Sequence, residues 1–294
     1  MLHKLCCLLM LTAWTGILAH AQFVKEYKIS ESPEVERVAL HFSSYNSLTK
    51  VKGSNSPAPV YIHGHLLKST ILPEFRSSIA KDVVDVTLVH KNIETDNLGR
   101  TITSKLFLSE NEENHSWDIQ LADDYSYLLD FKLGMGNADF DLSQLSISKM
   151  KVKSASADIS IHYGALRTNQ VAMDTLLVTL NMGKVDLQQA NFLQSKKVII
   201  EVNYGEISLN FSEGAPVKSQ ILAAVAGGSL YLKLPPESTP MRIQLKTTPL
   251  CRTVLPDYLR AVGEDIFVSK GYVANHPALL DFVLDVGVGA VTVE

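Results

Sequence analysis

The 294-residue sequence predicts an all-β protein: a β-solenoid of stacked parallel strands in coils of ~22 residues, preceded by a smaller irregular β region. Three observations carry this expectation. A short pattern recurs through the second half of the chain, with an apolar–x–apolar lead, a glycine, and then two more apolar residues one apart. Apolar and polar residues alternate within each copy, which is the two-residue period of a strand. After residue 21 no stretch keeps a long 3.6-residue apolar period, and the best helical candidate, residues 256–260, is a single turn at most.

Taken in order, residues 1–21 have the features of a secretory signal peptide. Lys4 supplies the positive start, Leu5 to Leu18 the apolar run, and Ala19-His20-Ala21 a small–x–small cleavage site. The run is short for a membrane span and no second one follows. The remainder is therefore expected to be exported, to the periplasm or the cell surface, with no integral membrane span. Cys6 and Cys7 fall within that leader, so Cys251 is left as the one cysteine of the mature chain and no internal disulfide is possible. Stability then has to come from an apolar core. A formal net charge of −4 without a Lys/Arg stripe argues against nucleic acid as a partner, and nothing reads as a basic amphipathic helix for a membrane surface. The sequons at Asn114 and Asn210 read as incidental.

Residues 22–115 form the N-terminal β region. Its clearest strands are Val35–Phe42 and Val83–Val89, where polar residues interleave with apolar ones. Between them, residues 52–59 read as a loop by their Gly, Ser, Asn and Pro content, and the polar, acidic stretch Ser109–Ser116 reads as a boundary.

The repeat domain is expected over residues 116–294. With the repeat glycine as position zero, Gly136, Gly183, Gly205, Gly228 and Gly289 are followed at +2 and +4 by Ala138 and Phe140, Val185 and Leu187, Ile207 and Leu209, Leu230 and Leu232, and Val291 and Val293. Ala157 heads a further copy with Ile159 and Ile161. Positions +1 and +3 are mostly polar, so the apolar pairs are expected to stack inward and their neighbours to face water. The glycines are expected at corners of the coil, where a positive φ is wanted that only glycine adopts without strain. Hairpin glycines in an antiparallel sandwich give the same local pattern. The near-constant interval from Gly136 to Gly228 favours the solenoid. The interval then breaks: Thr248–Pro256 echoes residues 228–235, and an insertion near 257–277 precedes the last copy, as either a functional excursion or a cap on the column.

These residues carry a family resemblance. Trp117–Leu121, Tyr127–Gly136, Asp141–Leu145, Ser154–Ile161, the segment 228–236 and the closing Val286–Val293 resemble the "toast rack" proteins, grouped with the adhesin-like bacterial proteins of DUF4097. The resemblance covers about residues 115–294 and, more weakly, the strands before them. It implies an exported β-solenoid, adhesin-like and related to C-terminal domains of cell-envelope stress proteins, with no catalytic residues to carry over. The chain departs from the pattern at Ala157 and around Pro249–Cys251, where irregular coils are expected.

Chemistry is sparse. An enzyme on a β-helix would need carboxylates converging on adjacent rungs, either to hold Ca²⁺ or to flank a sugar bond. The +3 positions read Asp139, Ser160, Asp186, Ser208, Tyr231 and the +1 positions Asn137, Asp158, Lys184, Glu206, Ser229, so acids are diluted as on a solvated face. His63-Gly64-His65 has the spacing for two imidazoles on one side of a strand, without an evident third ligand. Cys251 belongs to no nucleophile motif and reads as a packing residue. Tyr125, Tyr127, Tyr163, Tyr204, Tyr231, Tyr258 and Tyr272 could line a glycan-binding strip, or simply be strand-favouring residues at half-buried sites. No catalytic, metal or cofactor site is expected. The expectation is a non-catalytic, adhesin-like scaffold of the cell envelope whose partner is a protein or glycan. A carbohydrate-active enzyme on a β-helix and an envelope-stress regulator acting through a partner are the alternatives.

Overall fold

The computed structural model describes residues 23–66, 73–90 and 115–294. The proposed leader, Asn114 and most of the acidic stretch before Trp117 lie outside the described residues. The strands are β1 (Phe23–Lys28), β2 (Arg37–Ser54), β3 (Val60–Leu66), β4 (Glu74–Ala80), β5 (Val83–Val89), β6 (His115–Ala122), β7 (Ser126–Asp141), β8 (Ser146–His162), β9 (Met173–Leu187), β10 (Ser195–Asn210), β11 (Ser219–Lys233), β12 (Met241–Thr247), β13 (Cys251–Val254), β14 (Arg260–Gly263), β15 (Ile266–Val268) and β16 (Leu280–Val293). Among the described residues the one helical element is a single 3₁₀ turn, Ala190–Leu193, which the sequence did not predict.

Seven long strands stack in parallel in the order β2, β7, β8, β9, β10, β11, β16. Their pairing is in register along the column, so Ser47, Gly136, Ala157, Gly183, Gly205, Gly228 and Gly289 lie above one another. This is the expected parallel solenoid. The antiparallel sandwich is ruled out as the arrangement of the repeats.

Each rung is one strand bent at that corner position. In β10 the buried side chains before the bend are Val198, Ile200 and Val202, and after it Ile207 and Leu209. The inward-facing parity switches from even to odd because the corner inserts an uneven number of residues. The switch lets both arms of one strand present apolar residues to the same interior. The two arms therefore form two walls facing each other, closed by a short turn. Phe131 on the first wall and Phe140 on the second meet across the interior with ring centroids 4.9 Å apart. Every +2 and +4 residue named above is buried, including Ile159, Leu187, Ile207, Leu209, Leu230 and Leu232.

The corner glycines Gly136, Gly183, Gly205, Gly228 and Gly289 all have φ between +117° and +144°. Their conformation points the place of a side chain straight at the carbonyl of the rung below. Ala157 and Ser47 sit in the same ladder without a positive φ, and their small side chains are buried instead. The Ala157 rung is thus not the irregular coil expected: β8 pairs along most of its length with both neighbours, its one irregularity a register shift beside Tyr127.

Two features correct the expected layout. The column does not start at residue 116. β2 is a full rung against β7, and its two halves pair on their other side with β5 and β6, which together form a further rung interrupted at the corner. Residues 52–54, expected in a loop, complete β2. The antiparallel pairs described in this region are β1–β3, β3–β6 and β4–β5, and they close that end. At the other end, the last strand in sequence is not the last in space. β16 lies between β11 on one side and β12 with β13 on the other. Cys251 takes the corner place opposite Gly289, and there the rung does break into two strands, as expected. The insertion supplies the hairpin β14–β15, which pairs with β12 and so caps the first wall. It also carries the chain back far enough for β16 to slot in.

The short third side is organised by a residue that no pattern pointed to. Asn169 is buried, and its carboxamide donates to the carbonyls of Ile147 (2.8 Å), Val171 (2.8 Å) and Leu193 (3.3 Å) while accepting from the Ile147 N–H (2.8 Å). One side chain thereby ties three successive turns. Asn169→Ala is expected to lower stability by about 2–3 kcal/mol, because those backbone groups stay buried without partners. Chemical denaturation should show a lower midpoint at an unchanged slope.

Candidate binding surfaces

Because the walls are flat and in register, their outward residues form columns. On the second wall the +1 column reads Asn137, Asp158, Lys184, Glu206 and Ser229, and the +3 column Asp139, Ser160, Asp186, Ser208 and Tyr231. A shallow groove of about 400 Å³ lies here, lined by Lys50, Asn137, Asp139, Asp158, Lys184 and Asp186 among others. Most of its charged groups are engaged by neighbouring residues. Lys184 Nζ is 2.8 Å from Glu206, and that hydrogen bond raises the lysine pKa. His162 Nε2 is 3.0 Å from Asp139, Gln188 donates to Asp186, and the Lys184 backbone N–H donates to Asp158. Burial pushes the Asp141 carboxyl up, but hydrogen bonds from Ser143 and the Gly164 N–H outweigh it and hold the pKa below the usual range. The acids that an enzyme on a β-helix would use are therefore spread along the column and tied up locally. Among the described residues, no group of three or more His, Cys, Asp or Glu is arranged to hold a metal ion.

On the first wall the outward columns run Leu128, Lys149, Thr175, Lys197; Asp130, Lys151, Leu177, Ile199, Leu222, Val283; and Lys132, Lys153, Thr179, Glu201. This face is lysine-rich around a half-buried aliphatic stripe. The repeat frame, anchored on the residues that follow each glycine, leaves this face out. Counting lysines two apart before each glycine would have revealed Lys149, Lys151 and Lys153 on one side of a strand.

The remaining candidates are scattered. His63 and His65 share one side of β3 with ring centroids 4.6 Å apart, and His63 lies opposite Glu26 and Asp118 in register, its Nε2 3.9 Å from Glu26. Gly64 between them is required, since a Cβ there would strike the Trp117 ring. Cys251 is half-buried at the edge of the core. The tyrosines make no strip: Tyr125, Tyr127 and Tyr163 are buried, while the exposed Tyr204 and Tyr231 belong to different columns. Asn210, in the second sequon, is half-buried and donates to Gln188.

A titratable group sits inside the N-terminal end. His90 is buried against the rings of His115 (4.8 Å) and Trp117 (5.5 Å). Burial, helped by the neighbouring His115, pushes its pKa down to about 4. A lowered histidine pKa means that the unfolded chain takes up the proton first. The stability this contributes is present above pH 6.5 and is lost as the pH falls towards 4. Thermal unfolding is expected to show a deficit on the order of 2 kcal/mol at pH 4.5, and His90→Phe should flatten that part of the profile.

The fold and its surfaces define a class: a parallel β-solenoid of two-walled coils that exposes flat, polar faces. Residues 88–175 match the family described as the N-terminal domain of toast_rack, DUF2154. The toast-rack likeness read from the sequence holds over this stretch, which runs from the end of β5 into β9. The matching family is DUF2154, whereas the resemblance drawn from the sequence places the toast-rack proteins with DUF4097. No curated protein matches the chain. Among solved structures, the chain is similar to a "putative cell adhesion protein" from Clostridium sporogenes ATCC 15579, at 14% identity over 93% of this chain and 99% of that one, TM-score 0.48. It is also similar to a "putative adhesin" from Bacteroides fragilis NCTC 9343, at 12% identity over 93% and 97% of the two chains, TM-score 0.36. No helix among the described residues is long and apolar enough to cross a membrane.

Proposed function

We propose that this protein is an exported, non-catalytic scaffold of the cell envelope, an adhesin-like module that binds a protein or glycan along its walls. The observation that carries the reading is the register of seven rungs, continuous but for one shift beside Tyr127. It repeats equivalent outward side chains at about 4.8 Å intervals, a spacing suited to an extended partner and not to one small substrate. The dispersal of the second-wall carboxylates into local hydrogen bonds supports a binding role over acid–base chemistry. The leader at residues 1–21 supports export.

The test is binding of the mature chain to a panel of polysaccharides and solubilised envelope proteins, with product analysis alongside. Saturable binding without new reducing ends is the expected result. Turnover of any polysaccharide in the panel would replace the scaffold with an enzyme.

A further inference from the structure

The two walls carry opposite charge over the same four rungs, β7 to β10. The three outward columns of the first wall hold Lys132, Lys149, Lys151, Lys153 and Lys197 against only Asp130 and Glu201. The corresponding columns of the second wall hold Asp139, Asp141, Asp158, Asp186 and Glu206 against only Lys184. Lys151 lies 4.0 Å from Asp130, whereas Lys132, Lys149, Lys153 and Lys197 make no ion pair among the described residues.

We propose that the basic first wall of one copy docks on the acidic second wall of another, so that the protein associates side by side. Five lysines face one way, three of them on β8, and five carboxylates face the other, spread over all four rungs. Two copies with parallel columns therefore bring walls of opposite net charge together, most strongly at β8, where Lys149, Lys151 and Lys153 sit side by side. The half-exposed Leu177, Ile199 and Leu222 continue the central column of this wall beyond Lys151 and lose water on docking. An anionic polymer would also meet the lysines, but it would leave the acidic wall unaccounted for.

Each wall offers roughly 700 Å² across seven rungs, by strand spacing and rise, which is at the lower end of what specific interfaces bury per partner. The association is accordingly weak and salt-sensitive. Because the contact is heterologous, each added copy leaves one basic and one acidic wall free, and the assembly is open-ended.

The test is sedimentation of the mature protein over a concentration series at about 0.01 M and about 1 M salt, where the screening length falls from ~30 Å to ~3 Å. Growth of the average mass with concentration at low salt, abolished at high salt, is expected. Lys149→Glu/Lys153→Glu and Asp139→Lys/Asp186→Lys should each associate at least about tenfold more weakly than the natural chain. Mixing these two variants should restore association, because every wall of one then opposes every wall of the other. Thermal unfolding of each variant checks that it is folded. A monomer at low salt across the series overturns the proposal, as does a mixture that stays monomeric. Loss of association with the lysine pair but not with the acidic pair overturns it too, and assigns the lysines to another partner.

Discussion

Gly205→Val should destabilise the protein by about 4 kcal/mol or more, lowering its melting temperature on the order of 10 °C. The cause lies in the backbone. Gly205 has φ +144°, a region closed to β-branched residues, which by itself costs on the order of 1–3 kcal/mol. A Cβ placed there would also stand 1.9 Å from the carbonyl oxygen of Gly183 on the rung below. No rotamer escapes that contact, because the clashing atom precedes the first side-chain torsion. The same approach recurs up the ladder, with Gly228 against the Gly205 carbonyl and Gly289 against the Gly228 carbonyl, so relief at one rung has to displace the next. Gly205→Ala should therefore be nearly as damaging as Gly205→Val. Ala157→Gly, where the rung turns without a positive φ, should cost only about 1 kcal/mol from chain entropy. A Gly205→Val protein within 1 kcal/mol of the parent would show that the corner is not built this way.

Ile207→Lys should cost about 3–5 kcal/mol. Ile207 is fully buried, with Val185 and Leu230 on the rungs either side and apolar residues from the opposite wall in front of it. An ammonium group there has no partner and no route to water along the spine. It would lose its proton more easily than a free lysine, so the deficit should shrink as the pH is raised from 6 towards 10, the sign expected of a buried amine. Ser208→Lys, one residue along and outward-facing, should stay within about 0.5 kcal/mol of the parent. Equal costs at the two positions would mean that the inside and the outside of this wall have been confused.

Much of this architecture was legible in the sequence, for definite reasons. The second wall has four or five residues per rung with strict alternation, headed by a glycine whose role has no substitute once φ is positive. Gly136 to Leu232 could therefore be placed on paper. The first wall was harder, since the parity of its inward residues switches at the corner and the two arms look out of phase when read as one strand. The start of the column and the spatial order of its last rungs were not legible. β2 has Ser47 at its corner in place of glycine, and that side chain hydrogen-bonds to Ser44 and Thr49 inside, so nothing in its pattern announced a rung. The slotting of β16 between β11 and β12 is a long-range choice that no local signal records. Surfaces were the least legible part. Three lysines of the first wall share β8, and only the register joins Lys132 and Lys197 to them as one patch.

The most direct test of the stacked, two-walled column is a ladder of spin-label distances taken from position 139 in a Cys251→Ser background. Labels at Ser208, Tyr231, Thr292 and Val254 should lie three, four, five and six rungs away, near 14, 19, 24 and 29 Å before allowance for the label arms. The decisive pair is the last, because Val254 precedes Thr292 in the chain yet should be the farther by one step. Distances that fail to rise evenly, or that place 254 nearer than 292, would contradict the stacking order on which both walls depend.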